Sequence, residues 1–169
     1  MSFPSVKKEL ELLEKKELIY LIGELYKISS PVKEYLEFYA KPDEDNAYKI
    51  ARQRIHESFY PQRGFGYKLK EAKEAITRFK RLSPSAEQYA DILFYYVECG
   101  VQYTLDFGDM NEAFYSSLEG AYSKALAYIA RENLREKFHD RSYKLVTDTE
   151  DMGWGFHDFI TGEHYSYYS

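Results

Sequence analysis

The chain has 169 residues, 44% hydrophobic and 30% charged, with a formal net charge of −5. This length allows one domain with a substantial core and is short for two, and the single cysteine, Cys99, excludes an internal disulfide. No apolar run approaches membrane-spanning length and no apolar h-region follows the charges of the N-terminal MSFPSVKKELELLEKK, so a soluble cytoplasmic protein with no membrane contact is predicted.

The first part of the chain predicts five helices separated by turns. Ser5 can cap a helix over VKKELELL. The next helix, KKELIYLIGELYKI, is predicted to be well buried, because one face carries Leu18, Leu21, Ile22 and Leu25, widened by Ile19 and Tyr26. Ser30-Pro31 starts a third helix over VKEYLEFYA. Helical spacing predicts a fourth helix up to Pro61 and a fifth after the loop PQRGFG, from Tyr48, Ala51, Ile55 and Phe59 and then from Leu69, Ala72, Ile76 and Phe79.

The second part predicts two long helices and a shorter one. Ser83-Pro84 opens the clearest pattern, which runs to Phe107-Gly108 through Tyr89, Ile92, Leu93, Tyr96, Val97, Gly100 and Tyr103. Asn111 can cap the next helix, where small residues would let a neighbouring helix approach: Gly120, Ala121, Ala125 and Ala127. A final helix covers about 134–148.

These patterns predict an all-α single domain over 1–169. Seven or eight helices joined by short turns would pack as antiparallel helical hairpins, in a bundle or a short superhelical array. Residues 150–169 are predicted to form a non-helical C-terminal cap and tail.

Tyrosine is the unusual component, because 18 Tyr and 11 Phe stand against 9 Gly and 5 Pro. A tyrosine buries a large ring while its hydroxyl reaches water or a carbonyl, so it suits half-buried helix positions. The alternative to this packing role is an aromatic-lined binding surface.

Several phrases in combination carry a family resemblance: KKELIYLIGELY, VKEYLEFYAKPDED, AKEAITRFKRLSPS, ILFYYVECGVQYTLDFGD, FYSSLEGAYSKAL and MGWGFHD. Over roughly residues 8–158 the chain resembles an uncharacterised bacterial family, the domain of unknown function numbered 6155. The resemblance implies a compact, all-helical bacterial protein. It implies no activity, cofactor or catalytic residue.

Charge is distributed unevenly along the chain. Residues 49–81 hold ten Lys or Arg against three Glu, a net of +7, so the rest sums to −12. The candidate polyanion-binding residues are Arg63, Lys68, Lys70, Lys73, Lys80 and Arg81, with Phe65 and Tyr67 beside them, because single-stranded nucleic acid needs cations for phosphates and rings for bases. The alternative is pairing with the acidic line of the next helix, Glu87, Asp91, Glu98 and Asp106.

Catalytic and metal patterns are weaker. The four histidines are dispersed without the i, i+4 spacing of a helical zinc site, so no metal or other cofactor is predicted. Cys99, alone within a helix, fits a packing role better than that of a nucleophile. No catalytic residue is predicted.

The segment MGWGFHD contains the only tryptophan of the chain, between two glycines. Glycines can adopt positive φ, so the chain could turn after the last helix and lay Trp154 and Phe156 on the bundle. The residues of this candidate structural cap or pocket are Gly153, Trp154, Gly155, Phe156, His157 and Asp158.

The sequence favours a non-enzymatic binding or scaffold module that engages another protein, with the oligomeric state left open. The alternative is binding of nucleic acid or another polyanion through residues 49–81. A small-molecule enzyme that uses the Trp154–Asp158 region is the third interpretation.

Overall fold

The computed structural model describes residues 2–168, which form nine α-helices and, within that range, no β-strand. The predicted all-α class is confirmed. The helices are α1 (Phe3–Leu10), α2 (Lys15–Ile28), α3 (Ser30–Ala40), α4 (Glu44–Phe59), α5 (Leu69–Arg81), α6 (Ala86–Phe107), α7 (Glu112–Arg131), α8 (Arg135–Asp148) and α9 (Phe156–Tyr168). Across the described residues, no helix combines the length and the apolar character that crossing a membrane requires.

The C-terminal segment differs from the prediction of a non-helical cap and tail over 150–169. A turn ends at Gly155, and α9 follows and packs against α7 and α8. The helix forms because Phe156, Ile160 and His164 recur every four residues on one buried face. Ser169, the last residue of the predicted tail, lies outside the described residues.

The helices divide into two compact units where the sequence predicted one domain. The first unit holds α1–α3 and ends at Asp43, and the second begins at Glu44 and holds α4–α9. The buried hydrophobic core lies in the second unit.

In the first unit, α2 packs against α3. A capping box between Glu14 and Glu17 starts α2, and Tyr26 donates a hydrogen bond of 2.7 Å to Glu37 on α3. None of the residues of α1–α3 is buried. The prediction that α2 is well buried is therefore wrong, because two short helices cannot cover an apolar face on their own.

In the second unit, α6 occupies the centre, with α4, α5, α7 and α8 packed against it. Twelve of its 22 residues are buried, so α6 is apolar over most of its circumference. Ser85 caps its start by accepting a hydrogen bond from the Gln88 amide, and Gly108 ends it at φ +87°.

The close approach of α6 and α7 depends on a glycine of α6. A Cβ at Gly100 would lie 2.5 Å from Leu118 on α7, whereas one at Gly120 would meet nothing within 4 Å. The glycine that permits the contact therefore lies on α6, whereas the small residues noted in the sequence lie on α7. Asn111 caps α7 as predicted, by accepting a hydrogen bond from the Phe114 amide.

A half-buried ion network ties α4 and α8 to α6. Asp91 accepts hydrogen bonds from Arg52 at 2.7 Å, from Arg141 at 2.5 Å and from the Tyr48 hydroxyl at 2.5 Å. Arg141 also donates two hydrogen bonds to Glu98, through Nε and Nη2. Burial raises the pKa of Asp91, but the Tyr48 bond and the two arginines outweigh it and hold that pKa below its ordinary value.

A second polar chain runs through the interior between α7, α8 and α9. His164 is 1% exposed, its Nδ1 lies 2.8 Å from Ser142 Oγ, and that oxygen lies 2.6 Å from the Tyr122 hydroxyl. Burial, and then the neighbouring His139, lower the pKa of His164, because a charged imidazole loses its hydration in this site.

Replacing Arg141 by methionine should destabilise the second unit, because Glu98 and Asp91 would lose a cation while remaining half buried. We expect a loss of about 1–3 kcal/mol, below the cost at a fully buried pair, because Arg141 keeps 24% of its side chain exposed. Urea denaturation followed by circular dichroism measures it. Adding Glu98→Gln should recover part of the loss, and a double variant as unstable as the sum of the single variants would contradict the pairing.

Acidification should destabilise the fold through His164. The imidazole has its ordinary pKa of about 6.5 in the unfolded chain and a lower pKa in the folded one, so below about pH 6.5 the unfolded chain binds more protons. Stability is therefore retained above that pH and falls as the pH drops. Urea midpoints at about pH 7.5 and pH 5 measure the loss, and His164→Asn should reduce the difference between them. An unchanged difference would assign the pH dependence to other groups.

Candidate functional site

Three connections meet at one end of the second unit, which we call the loop end: residues 61–68, 106–112 and 149–158. The Tyr67 hydroxyl in the first connection accepts a hydrogen bond of 3.3 Å from the side-chain amide of Asn111 in the second. Asp109 in the second accepts one of 3.2 Å from the Gly153 amide in the third. The loop end thus joins part of the basic segment to the MGWGFHD turn.

The 61–68 connection lifts one aromatic side chain into solvent. Phe65 is fully exposed between Gly64 and Gly66, whose φ values of +87° and +90° favour glycine. Its neighbour Tyr67 does the opposite and packs on Phe114, with ring centroids 4.7 Å apart. Tyr67 therefore fixes the end of this loop by packing, while Phe65 at its tip makes the loop apolar on its solvent side.

The 106–112 connection is built around Asp109. The Asp109 carboxylate accepts hydrogen bonds from the Tyr115 hydroxyl at 2.5 Å and from the Gly153 amide. Just before it, the Phe107 side chain is 62% exposed at the end of α6. Asp109 therefore ties the C-terminal turn to the start of α7.

The prediction that Trp154 packs on the bundle is wrong. The indole is 61% exposed, and Trp154 itself adopts φ +60°, a left-handed conformation that is rare and costly for a bulky side chain. Gly155 follows at φ +71°, whereas Gly153 does not have positive φ. The turn therefore points the indole outward.

The packing role predicted for Trp154 belongs to Phe156 alone. Phe156 is fully buried and lies against Tyr115, with ring centroids 4.8 Å apart. Next to it, both ring nitrogens of His157 face threonines: Nδ1 lies 3.2 Å from Thr149 Oγ1 and Nε2 lies 3.5 Å from Thr161 Oγ1. Asp158 is exposed in the first turn of α9.

Sequence reasoning did not group Phe65 and Phe107 with Trp154 as exposed aromatic residues of the loop end. A signal was present, because Gly64-Phe65-Gly66 and Gly153-Trp154-Gly155 are the same pattern of one aromatic residue between two glycines. In both cases the aromatic side chain is exposed. The pattern predicts a turn at both places, and the structure shows that both rings face solvent.

The charge of the loop end is negative. Its three connections contain six carboxylates against two cations, a formal charge of −4; the residues are Asp106, Asp109, Glu112, Glu150, Asp151 and Asp158 against Arg63 and Lys68. Lys68 is further neutralised by an ion pair of 3.0 Å with Glu71. The carboxylates thus belong to the connections that carry Phe107 and Trp154, whereas the connection that carries Phe65 holds the two cations.

The other candidate polyanion residues lie on α5, away from these carboxylates in sequence. Lys70, Lys73, Lys80 and Arg81 are all exposed, and Lys80 lies over the Tyr89 ring, 5.4 Å from its centroid. The acidic line of α6 is paired with other helices: Glu87 with Lys137, Glu98 with Arg141, and Asp91 with Arg141 and Arg52. The expected neutralisation across the α5–α6 hairpin is thus replaced by pairing with α4 and α8.

A groove of about 570 Å³ lies between α4, α6 and α8, with Tyr60, Tyr95, Cys99 and Arg141 among its lining residues. Burial raises the pKa of the Cys99 thiol to about 12, so the thiol is protonated at neutral pH and is no nucleophile. Tyr60 donates a 2.6 Å hydrogen bond to Asp106 at the rim. The cysteine of the groove is therefore not a thiolate at neutral pH.

Metal ligation has no geometric support in residues 2–168, since no three side chains of His, Cys, Asp or Glu there are arranged to hold an ion. His157 and His164, which flank Asp158 and Glu163 in the sequence, are each bonded to a hydroxyl.

Alanine at Gly153 and at Gly155 should destabilise the protein for different reasons. A Cβ at Gly153 would lie 2.7 Å from Asp109 Oδ2, whereas at Gly155 the space is open and the cost is the positive φ. We expect a loss of about 1 kcal/mol at Gly155. Urea denaturation checks both variants. Asp109→Ala should relieve the clash at Gly153 and leave the cost at Gly155 unchanged, and equal behaviour of the two would refute this assignment.

The comparisons with known proteins supply no chemistry for this chain. No curated protein and no solved structure matches the chain. A family model matches residues 1–160, and the chain therefore belongs to the family of unknown function DUF6155.

Proposed function

We propose that the chain is a non-enzymatic protein-binding module whose loop end holds a lysine- or arginine-rich segment of a partner protein. The observation that carries the proposal is the exposed Trp154, held outward in a left-handed conformation. Strain of this kind costs on the order of 1–3 kcal/mol and is concentrated at functional sites.

The exposed rings supply the contact surface. The exposed fraction is 61% for Trp154 and 62% for Phe107, and Phe65 is fully exposed. Hydrogen bonds of Asn111 and Asp109 link the connections that carry these residues. Aromatic residues provide a large share of binding energy at protein interfaces because they bury much area with little loss of rotamer freedom.

The charge of the loop end selects the partner. The six carboxylates of the loop end outnumber its two cations, so its net charge repels phosphates and attracts cations over a distance of about 10 Å at physiological salt. An arginine or lysine side chain can also lie over an exposed ring, where the cation–π contact adds about 0.5–2 kcal/mol. A basic peptide segment satisfies both requirements.

Polyanion binding through α5 is the second candidate. It is favoured by one observation: three of the four carboxylates in the acidic line of α6 pair with Arg52, Lys137 and Arg141 rather than with α5, so these pairs do not neutralise the exposed lysines of α5. The proposed enzyme role is weaker, because the groove thiol is protonated and both nitrogens of His157 face threonines.

A fluorescence titration tests the proposal, since Trp154 is the only tryptophan in the chain. A decapeptide of alternating lysine and leucine should change the emission of Trp154, with an affinity that falls as salt rises. A decapeptide of alternating glutamate and leucine should not. No change in emission with the basic peptide, together with no change in the anisotropy of a labelled copy, would refute the proposal.

Two variants and a control locate the binding surface. Phe107→Ala and the charge-neutralising double variant Glu150→Gln/Asp151→Asn should each weaken peptide binding several-fold. Tyr39→Ala removes a ring of comparable exposure, 76%, from the first unit and should leave binding unchanged. A labelled single-stranded RNA added in place of the peptide separates the second candidate: its binding should depend on Lys70 and Lys73 and leave Trp154 unperturbed.

A further inference from the structure

An apolar stripe runs along α2 in the first unit. Leu21, Ile22, Leu25 and Ile28 fall on one face of the helix, and Ile19 lies beside them. These five side chains are 38%, 45%, 40%, 78% and 60% exposed in that order. A continuous exposed stripe of large aliphatic residues marks an interaction surface.

Four lysines of this unit lie close to a glutamate within it. Lys7 lies 3.5 Å from Glu11, Lys16 3.0 Å from Glu14, Lys27 2.8 Å from Glu24 and Lys33 3.9 Å from Glu37. Seven lysines stand against eight acidic residues up to Asp43, so the formal charge is −1. A strongly charged partner would gain little here, and a second copy of the same surface would not be repelled.

We propose that the α2 stripe, Ile19, Leu21, Ile22, Leu25 and Ile28, is a dimerisation surface that packs against the same stripe of a second copy of this chain. Two α2–α3 hairpins would then form a four-helix arrangement about a two-fold axis, in which each copy covers the apolar face of the other. This dimerisation is independent of the function proposed for the loop end.

The exposed area sets the expected strength. If a large side chain contributes about 150–200 Å², the five residues expose on the order of 400–500 Å² per copy. A standard interface buries about 800 Å² per partner, so the stripe corresponds to a small interface. The dimer should therefore form in the micromolar range, in concentration-dependent equilibrium with the monomer.

Sedimentation velocity of the full chain between roughly 1 and 200 μM tests the proposal. We expect the mass to rise from 20.0 kDa towards twice that value. The double variant Leu25→Glu/Ile28→Glu should stay monomeric at about 200 μM. Tyr20→Glu is the matched control, because Tyr20 is 71% exposed on the opposite side of α2 and should not affect assembly. Neither change touches the core, and circular dichroism with thermal denaturation verifies that each variant is folded.

Disulfide trapping gives a second measurement that does not depend on a loss of function. The single variants Ile22→Cys and Leu25→Cys should form covalent dimers rapidly on mild oxidation, and Tyr20→Cys should form them more slowly. The native Cys99 does not compete, because it is buried and its thiol has a pKa of about 12.

Three outcomes would overturn the proposal. One is a chain that stays monomeric at about 200 μM, and another is a dimer that persists in Leu25→Glu/Ile28→Glu. The third is a monomer that binds phosphatidylcholine–phosphatidylglycerol vesicles through α2, which would make the stripe a membrane-surface helix. The dimer-deficient variant should still give the Trp154 response to the basic peptide, so failure of one proposal is distinguishable from failure of the other.

Discussion

Burial of α6 on several sides is the constraint on which the second unit depends. A helix that is apolar over most of its circumference needs neighbours in several directions, and α4, α5, α7 and α8 provide them. The same burial forces a solution for its two half-buried carboxylates, Asp91 and Glu98. Arg141 bonds to both and shares Asp91 with Arg52, so one side chain of α8 pairs with two half-buried carboxylates of α6.

The position of α6 also determines the loop end. Gly108 stops the helix and turns the chain, which leaves Phe107 at the tip and brings Asp109 to the Gly153 amide. Tyr115, the other partner of Asp109, packs on Phe156 in the core. The Trp154 turn is thus tied to the core through the Asp109 carboxylate and Tyr115, while Phe107 packs on Tyr103 with ring centroids 4.7 Å apart.

Periodicity in the sequence predicted most of the helices, because burial imposes the 3.6-residue repeat directly on α4 to α8. The repeat fails where an apolar face has no cover within the chain. α2 carries a well-formed apolar stripe and was predicted to be buried, yet the residues of that stripe are exposed, because periodicity shows that one face is apolar and not that another part of the chain covers it. The prediction that Trp154 packs on the core was wrong for a related reason. Glycines on both sides permit a turn in either direction, and composition does not indicate whether the indole faces the core or the solvent.

The absence of buried residues in α1–α3 affects how the stability of this protein can be described. A hairpin without a core of its own has a helical content that depends on what covers it, so we expect it to unfold separately from the core of the second unit. Trp154 belongs to the second unit, whereas circular dichroism records the helices of both. We therefore expect the two signals to follow different transitions, with the free energy of unfolding of α4 to α9 reported by the transition that they share.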